Sequence, residues 1–222
     1  MTVFAKAILT ARQFALMSPS FRKMARERGY RRMVRLISSE LAFDWVSNTD
    51  TSLEFAPSIH KSLSHYPSHA GCNPLIFREL LMIVPTDGVF LDLGAGKGRA
   101  MMLAAQRGFT RVIGVESSRT YCDQARSNLE RLRVSHPEVS LEVICTDART
   151  YEIPDAVTTL FLYNPFASEV MVPVIRSIFR SLSRRGRAFH VVYMNPVHAD
   201  LFVEANFDLV AKQRDGLILV TS

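Results

Sequence analysis

Residues 89–99 read Val-Phe-Leu-Asp-Leu-Gly-Ala-Gly-Lys-Gly-Arg, and this stretch decides the fold. An apolar run ends in the carboxylate of Asp92, three glycines follow at alternate positions, and an apolar helical pattern begins at Arg99. A buried strand, a tight glycine turn and a helix N-terminus in this order let the backbone approach a nucleotide-like ligand. The spacing is neither the G-x-G-x-x-G of dinucleotide-binding folds nor that of a phosphate-binding P-loop.

The same rhythm of strand and helix repeats downstream. One apolar run ends in Glu116 and is followed by a helical pattern from Arg119 to about Leu132, and a second run ends near Asp147. Ligands of open parallel sheets bind at the carboxyl ends of the strands. Acids at the ends of three successive predicted strands therefore indicate a ligand site at that edge of the sheet.

The remaining strands complete the predicted sheet. Val157-Thr-Thr-Leu-Phe-Leu-Tyr is followed by Asn164-Pro-Phe, and the run 187–194 is predicted to be a fifth strand. Two further β-like runs, 207–212 and 217–221, are separated by a turn at Asp215-Gly216, which predicts an antiparallel pair.

These motifs resemble those of the class I S-adenosylmethionine-dependent methyltransferases, whose first motif is [DE]-x-G-x-G-x-G. The chain is also similar to a less-studied bacterial branch with D-L-G-x-G-K-G-R, an N-P-F motif and a late N-P-x-H, here 195–198. The resemblance covers about residues 71–222. It implies an α/β fold with a seven-stranded Rossmann-like sheet that is mostly parallel, with an antiparallel last strand. It also implies S-adenosyl-L-methionine as donor and S-adenosyl-L-homocysteine as product.

The resemblance further implies a role for each donor-site motif. The glycine turn would admit the methionine part, Asp92 would anchor its amino end, and the strand-end acids would bind the ribose and the adenine. The implied cofactor-binding residues are Asp92, Gly94, Ala95, Gly96, Gly98, Glu116, Ser117, Asp147, Ala148 and Asn164. Simpler interpretations stay open: Glu116 as an acid at a helix N-terminus, and Asp147 as a turn former.

The segment 163–166 is where the methyl acceptor docks in the resembled family, with Asn164, Tyr163 and Phe166 as the catalytic candidates. An Asn carbonyl can accept the N–H of an amine acceptor, while an aromatic face packs against it. Base-methylating enzymes carry N-P-P-[YFW] here, but this chain has N-P-F-A, which favours an amine on a protein side chain. The alternatives are a nucleic-acid or small-molecule acceptor, a cofactor-binding pseudoenzyme that serves as a partner-binding module, and an ordinary turn with Phe166 in the core.

The domain organisation is predicted from charge. Residues 1–70 form a basic helical extension or lid, and residues 71–222 form the cofactor-binding domain. Residues 1–40 hold nine Lys or Arg and two Glu, whereas the other 182 residues hold 18 basic and 19 acidic side chains. The basic residues interleave with apolar ones as in two amphipathic helices, the second starting at Ser18-Pro19. Solvated charges on a packed lid, contact with an anionic partner, and an oligomer contact remain three hypotheses. Trp45, the only tryptophan, is predicted to anchor the extension by packing.

Other features bound the function. Three widely spaced cysteines form no C-x-x-C, and His60, His65 and His69 lack a nearby acid partner, so no metal site is expected. No stretch is long and apolar enough to span a bilayer, no secretory signal is evident, and a cytoplasmic location is expected.

Overall fold

The computed structural model describes residues 29–51, 71–163, 166–213 and 215–221. The chain divides into two compact units, one ending at Ile76 and the other starting at Phe77. Residue 70, where the sequence places the domain boundary, lies outside the described residues. So do the helix start at Ser18-Pro19 and the three histidines of residues 60–69.

The first unit contains helix α1, Tyr30–Ser47. Leu36, Glu40 and Phe43 are buried at a spacing of four and three residues, so they share one face of the helix. Trp45 falls on the opposite face and is 68% exposed, so the prediction that it anchors the extension by packing is wrong. The helix ends at Asn48, whose backbone is left-handed, with φ of 51°.

The second unit is built on one sheet of seven strands with helices between them. Helix α2 begins in the first unit and ends in the second. The elements are α2 (Pro74–Leu81), β1 (Val89–Leu93), α3 (Arg99–Arg107), β2 (Arg111–Glu116), α4 (Arg119–Ser135), β3 (Ser140–Cys145), β4 (Val157–Tyr163), α5 (Ser168–Arg184), β5 (Phe189–Met194), α6 (Ala199–Glu204), β6 (Asp208–Gln213) and β7 (Gly216–Thr221). Each predicted strand and the predicted helices from Arg99 and Arg119 are therefore present.

The strand order is β3-β2-β1-β4-β5-β7-β6. Neighbours from β3 to β5 pair in parallel, whereas β7 pairs antiparallel with both β5 and β6. The predicted fold class, a mostly parallel Rossmann-like sheet closed by an antiparallel last strand, is confirmed. The strands that follow β1 are added first on one side of it, as β2 and β3, and then on the other side, as β4 and β5. The strand order therefore reverses at β1, and ligands of such sheets bind beside that point.

Strand β1 is buried on both faces, as expected for the centre of a parallel sheet. On one face Phe90 lies in an aromatic group with Phe77, Phe109 and Phe161, and the Phe77 and Phe161 ring centroids are 4.8 Å apart. On the other face Leu91 belongs to the aliphatic core that α5 covers. This double burial holds the carboxyl end of β1, and hence the glycine turn, in place.

Gly114 lets helix α3 lie directly on strand β2. A Cβ atom at Gly114 would overlap the Met101 side chain and come within 2.9 Å of the Ala95 Cβ. We therefore expect Gly114→Ala to lower the free energy of unfolding by about 1–3 kcal/mol, since overpacking forces neighbouring groups to shift. Urea denaturation measures this loss. The control is Gly186→Ala, where nothing lies within 4 Å of the new Cβ; equal losses in both variants would contradict the packing argument.

Candidate functional site

The glycine turn after β1 has a backbone that only glycine adopts easily. Gly94, Gly96 and Gly98 have φ of 83°, 52° and 86°, in the left-handed region that a side chain disfavours. The N–H groups of Gly94 and Ala95 both donate to the Val115 carbonyl, at 2.9 and 3.0 Å. The turn is therefore fixed to the end of the neighbouring strand β2.

The far side of the turn is supported from helix α4. A Cβ atom at Gly98 would lie 3.4 Å from the Ala125 Cβ, so Gly98 permits close packing at the start of α3. The buried Asn128 side chain donates to the Lys97 carbonyl at 3.0 Å. Sequence reasoning missed Asn128 as a support of the turn, although a polar residue on an otherwise apolar helix face was the available signal.

Two cations of the motif are also buried, which the sequence analysis did not anticipate. Lys97 is 1% exposed and Arg99 is 2% exposed. Lysine and arginine are rarely buried to this extent unless they are paired. The charged residues of the motif are therefore part of its structure and do not form a solvated surface.

Glu116 joins the two turns at the head of the site. Its Oε2 accepts from the Gly96 N–H at 2.9 Å, and its Oε1 accepts from the Ser118 N–H at 2.8 Å. The Ser117 hydroxyl lies 3.4 Å from the same Oε1. The cap of α4 is Ser118, whose hydroxyl accepts from the Tyr121 N–H at 3.5 Å, so Glu116 is not itself the N-cap. A carboxylate has about four lone-pair sites, and therefore the Glu116 oxygens retain acceptor capacity for a ligand.

Asp92 lies at the carboxyl end of β1 and is 2% exposed. Burial, and secondarily the neighbouring negative charge of Glu116, raises the pKa of Asp92 from 3.8 to about 8. Within the part of the chain that the structure describes, no residue donates a hydrogen bond to this carboxyl group. It is therefore a buried acid that a cationic or hydrogen-bond-donating ligand group would stabilise.

Asp147 follows β3 by two residues and forms a turn of its own. Its Oδ1 accepts from the Arg149 backbone N–H at 2.8 Å and its Oδ2 from the Arg149 Nε at 2.9 Å. This side-chain hydrogen bond with Arg149 is the main reason that the pKa of Asp147 is lowered. The next residue, Ala148, is buried in the core, so the segment that carries both residues has a fixed position beside β2.

The acceptor candidates follow strand β4. Tyr163 is its last residue and pairs with Met194 at the end of β5. Phe166 is partly buried and packs against the core, as the simpler interpretation of that residue expects. Asn164 lies outside the described residues. Beyond Met194, the His198 backbone N–H donates to the buried Tyr193 hydroxyl at 3.4 Å, so the second Asn-Pro segment lies at the neighbouring strand end.

The strand order brings the donor-site candidates to one edge of the sheet. Asp92, Glu116 and Asp147 follow or end the adjacent strands β1, β2 and β3, and Tyr163 ends β4 on the other side of β1. Residues 90–186, which include all of these, match the methyltransferase domain family. This segment is similar to the methyltransferase domains of that family.

A curated protein is similar to part of the chain. A ribosomal protein L11 methyltransferase of Desulforapulum autotrophicum is 30% identical over 146 residues, which are 65% of this chain and 43% of that protein. The chain thus spans less than half the length of this curated relative.

Two solved structures share the fold. A Pyrococcus horikoshii protein proposed to be an RNA methyltransferase has a TM-score of 0.53 at 16% identity, covering 82% of this chain and 96% of its own. The glycopeptide N-methyltransferase MtfA, solved with S-adenosylmethionine, has a TM-score of 0.52 at 13% identity, covering 66% and 92%. At these identities the likeness concerns the fold alone.

A membrane-spanning helix is absent from the described parts of the chain: no helix among residues 29–51, 71–163, 166–213 and 215–221 has the length and apolarity to cross a bilayer.

The raised pKa of Asp92 predicts a pH-dependent stability difference. Between about pH 4 and about pH 8 the folded state retains a proton that the unfolded state has released. The free energy of unfolding of the wild type therefore falls as the pH rises through this window, by at most about 1.4 kcal/mol per pH unit from this group. Asp92→Asn carries no such proton. We expect the variant to gain stability relative to the wild type as the pH rises to about 8, and no further above it.

Urea denaturation at a series of pH values measures this difference. Asp123→Asn, at a side chain that is 60% exposed on α4, is the matched control. A stability difference between wild type and Asp92→Asn that is the same at every pH would contradict the assignment of a buried, protonated Asp92.

Proposed function

We propose that the chain is a class I methyltransferase that moves a methyl group from S-adenosylmethionine to an amine nitrogen on a protein side chain. The observation that carries the proposal is the contact between Glu116 and Gly96 within the segment that matches the methyltransferase domain family. The glycopeptide N-methyltransferase MtfA, which shares the fold, was solved with S-adenosylmethionine. The cofactor, the methyl transfer and the residue roles below are parts of this proposal.

The residues at the sheet edge fit this donor. The buried Asp92 carboxyl suits the positive amino end of the methionine part, because it has no hydrogen-bond donor among the described residues. The spare acceptor site of Glu116 suits one ribose hydroxyl, and the second hydroxyl would take the place of the Ser117 hydroxyl, which lies 3.4 Å from Oε1. The left-handed glycines leave the turn without side chains where the ligand would lie. Asp147 and the backbone of Ala148 remain the candidates for the adenine.

The chemistry asks little acid–base work of the protein. The donor supplies an electrophilic methyl group on a sulfonium. The protein must hold the acceptor nitrogen in line with that methyl and keep water away. Tyr163 and Phe166 provide aromatic surface beside the proposed acceptor position, and Asn164 would accept an acceptor N–H.

An amine of a protein is preferred to a nucleobase because the second proline of the base-methylating motif is absent from 164–167. The L11 methyltransferase acts on a ribosomal protein by its name, which is consistent with this choice. The basic residues within 1–40 favour an anionic partner, such as nucleic acid, acidic protein or phospholipid. That partner and the cytoplasmic location stay predictions.

The experiment that tests the proposal incubates the full chain and tritiated-methyl S-adenosylmethionine with cell extract, which is then fractionated into protein, nucleic acid, lipid and small molecules. Label in protein that resists mild base and is recovered as a methylated amino acid supports the proposal. Label in nucleic acid alone would mean that the acceptor is a nucleic acid, and it would leave the proposed methyl-transfer reaction unchanged. Binding of S-adenosylhomocysteine without transfer in any fraction would instead support the pseudoenzyme.

Glu116→Ala tests the donor site. We expect it to weaken binding of S-adenosylhomocysteine by about 1–3 kcal/mol, because the ribose hydroxyls lose a charged acceptor and the Gly96 N–H loses its partner. Titration calorimetry measures the change, and a thermal melt checks that the variant is folded. Glu130→Ala, an exposed acid on α4, is the control. Unchanged affinity in folded Glu116→Ala would remove Glu116 from the site.

Asn164→Ala tests the acceptor site. We expect the affinity for S-adenosylhomocysteine to stay close to that of the wild type while the rate of methyl transfer falls about 10²-fold, since the amide would align the acceptor in the transition state. Single-turnover transfer to the substrate found by labelling measures this. A wild-type rate would mean that the Asn-Pro-Phe segment is only a turn, and the acceptor would then be sought at the second Asn-Pro segment, at Asn195 or His198.

A further inference from the structure

Two cysteines meet behind the proposed donor site. Cys122 is completely buried on α4, and Cys145 is the last residue of β3 and is partly exposed. Both adjoin Glu116: the Cys122 thiol donates to the Glu116 carbonyl at 3.3 Å, and Cys145 is opposite Glu116 in the parallel pairing of β3 with β2.

We infer that Cys122 and Cys145 are an oxidation site that hydroperoxides convert to a disulfide, and that this bond weakens binding of the methyl donor. The second half of the inference rests on the proposed function; the first half does not. Two cysteines 23 positions apart carry no sequence signature of pairing. They are neighbours because the Cys122 thiol and the Cys145 backbone both adjoin Glu116.

The environments of the two sulfurs give the order of the steps. Burial, and next the hydrogen bond with Cys145, raises the pKa of Cys122 to about 12, so Cys122 is a protonated thiol. Peroxide therefore reacts first at Cys145, because its sulfur is the more accessible of the two. The Cys145 sulfur attacks hydrogen peroxide, the O–O bond breaks, and a sulfenic acid and water form.

The second step closes the disulfide. The Cys122 sulfur attacks the sulfenic sulfur of Cys145, the S–O bond breaks, and the oxygen leaves as water with the Cys122 thiol proton. Two thiols and one hydrogen peroxide thus give one disulfide and two waters. A thiol reductant reverses the change by exchange. In a reducing cytoplasm such a bond would be transient, which suits a redox-sensing site.

The bond would act on Glu116 through its backbone. The Glu116 carbonyl accepts both the Cys122 S–H and, at 3.0 Å, the Thr146 N–H. Oxidation removes the sulfur donor and ties the first part of α4 to the segment that leads to Asp147. Because Glu116 and Asp147 are the proposed ribose and adenine residues, we expect the disulfide to weaken S-adenosylhomocysteine binding at least about five-fold, the lower range of coupling between sites.

The experiment treats the full chain with hydrogen peroxide and compares it with the reduced protein. Intact mass and peptide mapping should show the loss of two hydrogen atoms and a peptide linking Cys122 to Cys145, and dithiothreitol should restore the mass. Titration calorimetry with S-adenosylhomocysteine should show the weaker binding, also reversed by dithiothreitol. Cys145→Ser should bind like the reduced wild type and be insensitive to peroxide, whereas Cys72→Ser, at the third cysteine, should respond like the wild type.

Failure of each half is visible separately. Peroxide-treated protein in which both thiols remain, or in which Cys145 goes only to sulfinic acid, overturns the oxidation site, and mass alone decides this without any cofactor. A quantitative disulfide with unchanged S-adenosylhomocysteine affinity overturns the coupling. If the reduced wild type does not bind S-adenosylhomocysteine, the proposed function and the coupling both fail, and the mass result still decides the oxidation site.

Discussion

One carboxylate organises the proposed donor site. The Glu116 oxygens accept from the backbone of the glycine turn and from the start of the loop into α4, so the turns after β1 and β2 are held together by the same side chain. The backbone carbonyl of Glu116 extends the arrangement to the end of β3 through Thr146. Three strand ends thus share one residue. Glu116, which was expected only to contact the ligand, therefore also holds the strand ends together. The two cysteines lie next to it.

The charge distribution at this edge is unusual for the interior of a folded domain. Residues 92–99 run from the end of β1 through the glycine turn to the start of α3. They include an acid with a pKa of about 8, a buried lysine and a buried arginine. Burial of ionisable groups opposes folding unless they are compensated, and perturbed acids concentrate at functional sites. The two buried faces of β1 provide the packing that tolerates this cost. Strand β1 therefore supplies both the packed core and the polar carboxyl end of the proposed site.

The fold was predictable because its signals are local. Apolar runs, alternate glycines and helix periodicity predicted the strands to within a few residues. The turn at Asp215-Gly216 predicted an antiparallel pair, and the resemblance to the methyltransferases implied that this pair closes the sheet. The donor-site candidates were predictable as strand-end residues, because parallel strands bring their carboxyl ends together. The partners were not. Three relations depend on how the helices lie on the sheet: Gly96 donates to Glu116, Asn128 supports Lys97, and both cysteines adjoin Glu116. The prediction that Trp45 packs was wrong for a related reason, because only the rotational position of helix α1 decides which face carries this side chain.

The position of β7 has a consequence for how the molecule is made. This strand follows β6 along the chain but lies between β5 and β6 in space, and among the described residues β6 pairs with β7 alone. During synthesis the sheet from β3 to β5 can assemble while β6 still lacks a neighbour. Strands β6 and β7 must then add together as a hairpin, or β6 stays unpaired until residues up to Thr221 have left the ribosome. Until then the edge of β5 stays open, and in that interval the nascent chain is most exposed to aberrant pairing with other strands.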